Sequence, residues 1–425
     1  MSESPRRRFG GLWRQPEFLK LWAGQTVSLF GSQVTSLALP LVAVLTLGAS
    51  PAEMGLLRAC QTLPPLLLGV FVGAWVDRLR RRPILLGADL GRAACLALIP
   101  LAAALGLLRI ELLYGVGFLA GALKVWFDIT YFSYLPALVE RERLIDANGK
   151  LETSFSAATI GGPGLAGALV QLVTAPFAIV LDAASFLVSA LSLALIRAPE
   201  PPPAPRARAR RLWGEIGAGL RAVAGDPYLR SLALVNALVN VALGLQGAIY
   251  VLYLVRDLAL SPAAIGLVLA ASGPGFLAGA LLAARVTGRF GPGPALVGAG
   301  LVFGATRLVA PLVAGPPAVA ALLLAVANLA SGVTGEIHAL TDLSLRQTLV
   351  PYHLLGRVNA GMRLIAWSAA PAAGLLGGAL GGWLGLRPAL GATALLAFLM
   401  PLAVWRSPLR ALREMPQPAE PTAAP

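Results

Sequence analysis

Apolar residues recur along this chain in long continuous runs, not in alternation. Twelve runs stand out, at approximately 21–47, 54–76, 83–106, 111–138, 150–173, 176–196, 228–254, 262–284, 293–314, 317–345, 357–383 and 386–405. A helix needs about 20 mostly apolar residues to cross the hydrocarbon core of a bilayer. Barrel strands are short and alternate, so the pattern predicts an all-α integral membrane protein with twelve transmembrane helices. The polar positions between the runs are sorted by side. Of the 34 Lys and Arg residues, 26 fall in the N-terminal segment and alternate loops, and three (Arg109, Arg256, Arg387) in the opposite loops. Basic loops stay in the cytoplasm. The asymmetry therefore predicts an even number of spans, both termini cytoplasmic, and residence in the cell (inner) membrane. The longest polar stretch, 197–230, is Pro-rich and then Arg-rich, with a surface helix expected from about Leu212. It divides the chain into a cytoplasmic segment 1–20, a six-helix bundle 21–196, a linker 197–227, a second six-helix bundle 228–405 and a tail 406–425.

Composition supports this reading and removes others. The 425 residues are 57% hydrophobic and 13% charged, with a mean hydropathy of +0.75; a soluble chain carries roughly 25% charged residues. A net charge of +14 would suggest nucleic acid in a soluble domain. Here the basic residues sit in short loops, so the implied partner is the lipid bilayer and no nucleic acid is expected. Cys60 and Cys95 lie inside apolar runs, which indicates neither disulfide nor metal. No small-residue cleavage site follows the first run, which reads as a retained span. A Gly-x-x-x-x-Gly-Lys-Ser/Thr loop is absent, so ATP is not the direct energy source. The chain also lacks a Gly-x-Ser-x-Gly elbow and any metal-ligand spacing. The expectation is a protein that is not an enzyme and has no cofactor.

The two halves resemble each other. Residues 139–148 (VERERLIDAN) align with 350–359 (VPYHLLGRVN) at an offset of 211, where Gly167 also meets Gly378; Gly69 and Gly73 meet Gly275 and Gly279 at an offset of 206. Duplicated six-span halves predict a substrate site between them near the midplane.

An ionisable group at membrane depth costs at least ~2.5–3.5 kcal/mol, so each one asks for a partner or a role. At helical spacing Gly117, Gly121, Lys124, Asp128 and Tyr131 share one stripe of span 4. Lys124 and Asp128, four apart, form either a silent intrahelical pair or a proton or substrate-charge site. Span 1 carries Gln25, Ser28, Ser32 and Ser36 in one sector. Span 7 carries Asn236, Asn240 and Tyr250. Span 10 carries Asn328, Ser331 and Asp342 on one face, with Glu336 and His338 on its flanks. These stripes are candidate cavity walls, the alternative for each Ser or Asn being an interhelical hydrogen bond. Asp128, Lys124, Glu336 and His338 are the proton-coupling candidates. Tyr131, Tyr250, Trp126 and Trp367 could form an aromatic wall. Asp89, Arg92, Asp182, Arg58, Arg307 and Arg363 are expected to pair across helices.

After span 2 the chain reads Gly73-Ala-Trp-Val-Asp77-Arg78-Leu-Arg80-Arg81-Arg82-Pro83. This resembles the Gly-x-x-x-Asp-Arg-x-Gly-Arg-Arg/Lys loop of the major facilitator superfamily, with Arg80 at the usual glycine. The resemblance implies a conformational gate built from Gly73, Asp77, Arg78 and Arg81. Span 5 contains Gly161-Gly162-Pro163-Gly164-Leu-Ala-Gly167, similar to the superfamily's antiporter signature and implying export. The opening from Phe18 to Pro40 resembles the branch of siderophore (enterobactin) exporters and macrolide-efflux proteins. In that superfamily spans 1, 4, 7 and 10 line the central cavity, and the four polar stripes fall on those spans. The resemblance implies a secondary active transporter working by alternating access between two pseudo-symmetric bundles. Such a transporter would export an amphiphilic small molecule (drug, siderophore or similar metabolite) in exchange for protons or another coupling ion, as a monomer. A lysophospholipid flippase or uptake symporter of the same fold is the nearest alternative, and a non-transporting membrane sensor or scaffold is the alternative of another class.

Overall fold

The computed structural model describes residues 11–76, 78–198, 200 and 212–416. The gate candidate Asp77, the first ten residues, the Arg-rich part of the linker and the last nine residues lie outside these. The helices are α1 (Pro16–Leu41, running on through a π-turn at Val42–Thr46), α2 (Pro51–Val76), α3 (Arg81–Ala104), α4 (Ile110–Leu138), α5 (Leu144–Val173) and α6 (Ala175–Ala194). The shorter α7 (Leu212–Gly225) follows. The second half comprises α8 (Pro227–Arg256), α9 (Pro262–Ala270), α10 (Ser272–Phe290), α11 (Pro292–Leu312), α12 (Pro317–Leu349), α13 (Tyr352–Leu384), α14 (Leu386–Ala397) and α15 (Leu399–Trp405).

Local sequence explains where these helices start and break. Pro16, Pro51, Pro227, Pro262, Pro292 and Pro317 each open one, because proline is preset for the first helical turn and lacks an N–H that would go unsatisfied there. Asp226 caps α8, its Oδ1 accepting from the backbone N–H groups of Tyr228 (2.8 Å) and Leu229 (2.9 Å). The eighth and twelfth runs are each interrupted, at Ala271 and Phe398. Pro274 and Pro401 stand four residues beyond Ala270 and Ala397, where a proline ring collides with the carbonyl one turn back. The first span begins at Pro16, five residues before the apolar run suggested, because Glu17 and Lys20 pair with each other at 2.8 Å. Eleven helical segments among the described residues are long and apolar enough to cross a membrane. α2, packed between α4 and α13, completes twelve crossings.

The packing of the first half recurs in the second. α1 lies against α5 and α6, α3 against α4 and α6, and α2 against α4; correspondingly α8 lies against α13 and α14, α11 against α12 and α14, and α10 against α12. The halves are thus two pseudo-symmetric six-helix bundles. At the face remote from the chain termini they share one apolar core, with Val34, Leu37 and Leu41 of α1 in the same cluster as Ile249, Leu252 and Ile265. At the terminus-bearing face the core divides in two. One cluster joins Phe18, Leu85 and Tyr134, and the other joins Leu232, Leu345 and Val358. The apolar cores of the two bundles are therefore joined at the far face and separate toward the termini. α7 follows the second half: Val223 enters its core, and Gly219 lies against the Arg357 carbonyl of α13, leaving no room for a side chain.

Candidate substrate cavity and its closed end

The charge pair of α4 is exposed. Lys124 Nζ donates to Asp128 Oδ2 at 2.6 Å in mid-helix, and the two side chains are 62% and 48% exposed. A pair this exposed at membrane depth would be costly in hydrocarbon, which favours an aqueous face on this side of α4. Phe71 and Trp75 of α2 and Phe132 of α4 are exposed, and Trp75 packs on Trp126 at 6.0 Å. Trp126 lies two residues from both Lys124 and Asp128, so the Trp75–Trp126 contact is on the other side of α4 from the charge pair. On α13 Arg363 stands over Trp367 at 5.8 Å, both exposed.

The other polar stripes are turned further inward than their spacing suggests. Gln25 is buried and donates to Ser189 Oγ of α6 at 3.2 Å, and Ser28 is buried one turn on. Both were expected in the cavity wall. They sit instead inside the first bundle, because Gly24 and Gly31 bring this side of α1 against α6. Ser32 is half-buried, and Ser36 is exposed and bonds back to the Gln33 carbonyl at 2.8 Å. Tyr131 is half-buried and stacked on Phe127 at 5.8 Å.

In the second bundle Asn236 donates to Asp342 at 3.1 Å, and Asn240 to the Asn236 carbonyl at 2.9 Å. Asp342 pairs with Arg346 at 2.7 Å. Asn328 reaches the buried Tyr250 hydroxyl at 3.4 Å. Ser331 accepts from Arg307 at 3.3 Å. Glu336 is half-buried on the flank facing α10, its Cβ 2.8 Å from where Gly279 would carry one. His338 is buried with no hydrogen-bond partner for either ring nitrogen among the described residues.

The intramembrane arginines do not pair across helices as expected. Arg92 bonds to Asp89 on its own helix, wedged between the rings of Phe127 (4.5 Å) and Phe186 (4.1 Å). Arg307 crosses to α8 but meets the neutral Gln246. Arg58 makes no ion pair among the described residues, and its buried Nε has no partner. The spacing of three residues on one helix marks the Arg92–Asp89 pair, whereas Arg58 and Arg307 have no acid at such a spacing and their surroundings are set by packing.

At the closed end two helix crossings are related by the internal repeat. Gly55 of α2 abuts Gly378 of α13, and Gly167 of α5 abuts Gly266 of α9. A Cβ on Gly55 would lie 2.9 Å from the Gly378 Cα, and one on Gly167 2.8 Å from the Gly266 Cα. These residues, with Pro51 and Pro262 beside them, all correspond at the offset of 211. The offset of 206 joins unlike surroundings. Gly275 and Gly279 press on the α12 backbone, whereas among the described residues nothing lies within 4 Å of a Cβ at Gly69 or Gly73. Gly162 packs on the Gln33 side chain, and the Pro163 carbonyl faces Gly266. Arg256 seals the same face by donating to the carbonyls of Gly48 (2.8 Å) and Ala49 (2.9 Å).

The model of the transmembrane secretion effector family, within the major facilitator superfamily, matches residues 11–424. The chain belongs to that family. It is similar to the multidrug efflux pump Tap of Mycolicibacterium fortuitum, 27% identical over 391 residues covering 88% of this chain and 91% of the relative. It is also similar to the pump Tap of Mycobacterium tuberculosis, 29% identical over 416 residues covering 95% of each. Among solved structures a bacterial homologue of the iron transporter ferroportin in an inward-facing state superposes with a TM-score of 0.75 at 19% identity, covering 93% of this chain and 99% of that one. That likeness carries the fold. As a member of the family this protein is a secondary transporter and not an enzyme.

For a transporter of this family the loop after α2 is informative in an unexpected way. Arg78 is exposed and Arg81 half-buried. The neighbouring Arg82 makes the contacts: its backbone N–H donates to Glu200 at 2.6 Å, and its guanidinium to the carbonyls of Leu193 (2.9 Å) and Ala194. It thereby satisfies the last carbonyls of α6, which a helix leaves open. Replacing Arg82 with Ala is expected to lower the melting temperature in detergent through the loss of about 1–3 kcal/mol of charge-assisted hydrogen bonds. Arg78→Ala should leave it unchanged. Equal melting of both variants would remove this role.

Proposed function

We propose that the protein exports an amphiphilic small molecule, a drug or similar metabolite, in exchange for protons. The carrying observation is the exposed Lys124–Asp128 pair at membrane depth, in a chain similar along nearly its whole length to proteins named multidrug efflux pumps. A pair that merely cancels itself offers nothing over two apolar residues; one that opens when Asp128 takes a proton links substrate release to proton entry. On this reading the terminal face is cytoplasmic, as the distribution of Lys and Arg indicates, and the protein lies in the cell (inner) membrane as a monomer. The bundles 21–196 and 228–405 rock about the central cavity, with the loop of Gly73, Asp77, Arg78 and Arg81 closing the terminal face in the opposite state. Glu336 and His338 are the corresponding candidates on the second wall.

The test is transport in proteoliposomes under an imposed pH gradient. Asp128→Asn is expected to reduce gradient-driven uphill efflux at least about tenfold, the scale on which removal of a positioned proton-transfer group acts, while downhill exchange continues. Glu336→Gln, measured alongside, shows whether the second wall shares the load. Full coupling in both variants would end the proton assignment.

A further inference from the structure

The third span of each bundle carries one arginine whose Nε is buried, and the two are treated very differently. Arg92 of α3 has Asp89 one turn away and the buried Asp182 of α6 in the same bundle core. At the repeat offset of 211 the counterparts of these two acids are Gly300 and Thr393. The same offset takes Arg92 to Phe303; the arginine of the second bundle, Arg307, stands four residues farther along α11 and hydrogen-bonds to neutral partners. Arg307 rests on Phe303 at 4.7 Å and reaches forward between α8 and α12. There its only polar partners among the described residues are the Gln246 side-chain carbonyl and the Ser331 hydroxyl, at 3.3 Å. Its Nε is buried and unpartnered.

Gln246 and Ser331 stand on the two helices of this bundle that carry the Tyr250 and Asn328 stripes, and Tyr250 and Asn328 bond to each other one turn farther on. A second cation approaches the same stretch from the other bundle. The Arg58 guanidinium lies against Gly247, the residue after Gln246, its Nε 3.4 Å from where a Cβ would stand. Arg58 has no acid partner among the described residues either. Two uncompensated guanidinium groups in a low-dielectric wall are costly unless something anionic neutralises them. A carboxylate is also a stronger acceptor for guanidinium than an amide or hydroxyl oxygen, and it can take two parallel N–H donors.

We propose that the closed end of the cavity holds an anion-binding site in which Arg307, with Arg58 opposite, receives the carboxylate of an amphiphilic small molecule. This rests on reading the central cavity as the substrate path. Tyr250 and Phe303 border the site on its apolar side, so the ligand is an organic acid with an apolar body, not a free inorganic ion.

The experiment compares two probes differing only in charge, 1-pyrenebutyrate and its uncharged primary amide. Equilibrium binding is measured to the full chain in phosphatidylcholine nanodiscs, with empty nanodiscs subtracted. Wild-type protein is expected to hold the carboxylate about tenfold or more tighter than the amide, the scale of a charge-assisted pair. Arg307→Gln should bring the ratio to within about twofold while amide affinity persists, which also certifies the fold. Gln246→Glu supplies a counter-ion in place and should abolish the preference without leaving Arg307 unpaired. Arg58→Gln should reduce it in part. A wild-type ratio near one, including the case in which neither probe binds, overturns the proposal, as does a ratio unmoved by both Arg307→Gln and Gln246→Glu. If the preference vanishes when phosphatidylglycerol replaces phosphatidylcholine, a lipid phosphate is the occupant and the small-molecule assignment falls. Cells that retain both probes despite selective binding would refute the efflux reading and leave the anion site standing.

Discussion

Replacing Gly167 with leucine is expected to abolish transport, by about 100-fold or more, in a protein that still folds. The reason lies in where the new side chain would go. At Gly167 it meets the backbone of α9 in the opposite bundle, the Pro262 carbonyl and the Gly266 Cα, before it meets anything movable. Helices approach this closely only where both carry glycine. Neither bundle's own core is touched, so the cost falls on the equilibrium between closed and open far faces. A bias of about 2.7 kcal/mol shifts that ratio 100-fold, and displacing backbone by a leucine side chain exceeds it. Gly378→Leu should behave alike, because its side chain would strike the Pro51 carbonyl and the Gly55 Cα across the other crossing. Gly167→Ala should give a partial loss, since a single Cβ asks the helices to separate by only a fraction of an ångström to about one ångström. The readout that separates this from misfolding is labelling of a cysteine at Ala263→Cys by a membrane-impermeant maleimide, which should become faster in the leucine variants. Transport at the wild-type rate in both would show that the far face need not close on these glycines.

The two crossings also show what the amino-acid sequence disclosed and what it withheld. Apolar runs, basic loops and the repeat were enough for twelve helices in two bundles, because bilayer thickness and helix rise leave few other solutions. The gap at Ala271 was hidden only by averaging over the run; Pro274 stood in plain view. Gly167 and Gly378 were paired by the repeat, yet the repeat could not reveal that each touches a glycine of the other bundle, since contacts between helices are set by rotation about their axes. The same limit misplaced Gln25 and Ser28. Their sector faces α6 because Gly24 and Gly31 draw α1 toward that helix, and a stripe of polar residues says nothing about which neighbour it meets. Lys124 and Asp128, four residues apart on one helix, needed no such knowledge, and their pairing was legible. Arg82, which is not among the gate residues the motif implies, holds the end of α6. Its role depends on where α6 ends, which hydropathy fixes only to within several residues.

Arg92→Met is expected to destabilise the first bundle by about 3–5 kcal/mol, the cost of breaking a buried ion pair from one side. Asp89 is 0% exposed and Asp182 1%, and each has one carboxylate oxygen without a hydrogen-bond partner. With Arg92 gone, two buried carboxylates share a core with no cation, and Phe127 and Phe186 lose the group that fills the space between them. The measurement is the melting temperature and the monodisperse fraction in detergent. Adding Asp89→Asn and Asp182→Asn to Arg92→Met should recover most of the loss, because neutral groups of similar volume replace buried ions at little cost or even a gain. Arg307→Met provides the contrast. It strands no carboxylate, since Arg307 pairs with none among the described residues, and deprives only Gln246 and Ser331 of a donor. It should therefore melt within about 1–2 kcal/mol of the wild type, the penalty of a neutral acceptor left unmet. Equal losses from the two substitutions would mean that the acids of the first bundle do not depend on Arg92, and that the two arginines serve packing alone.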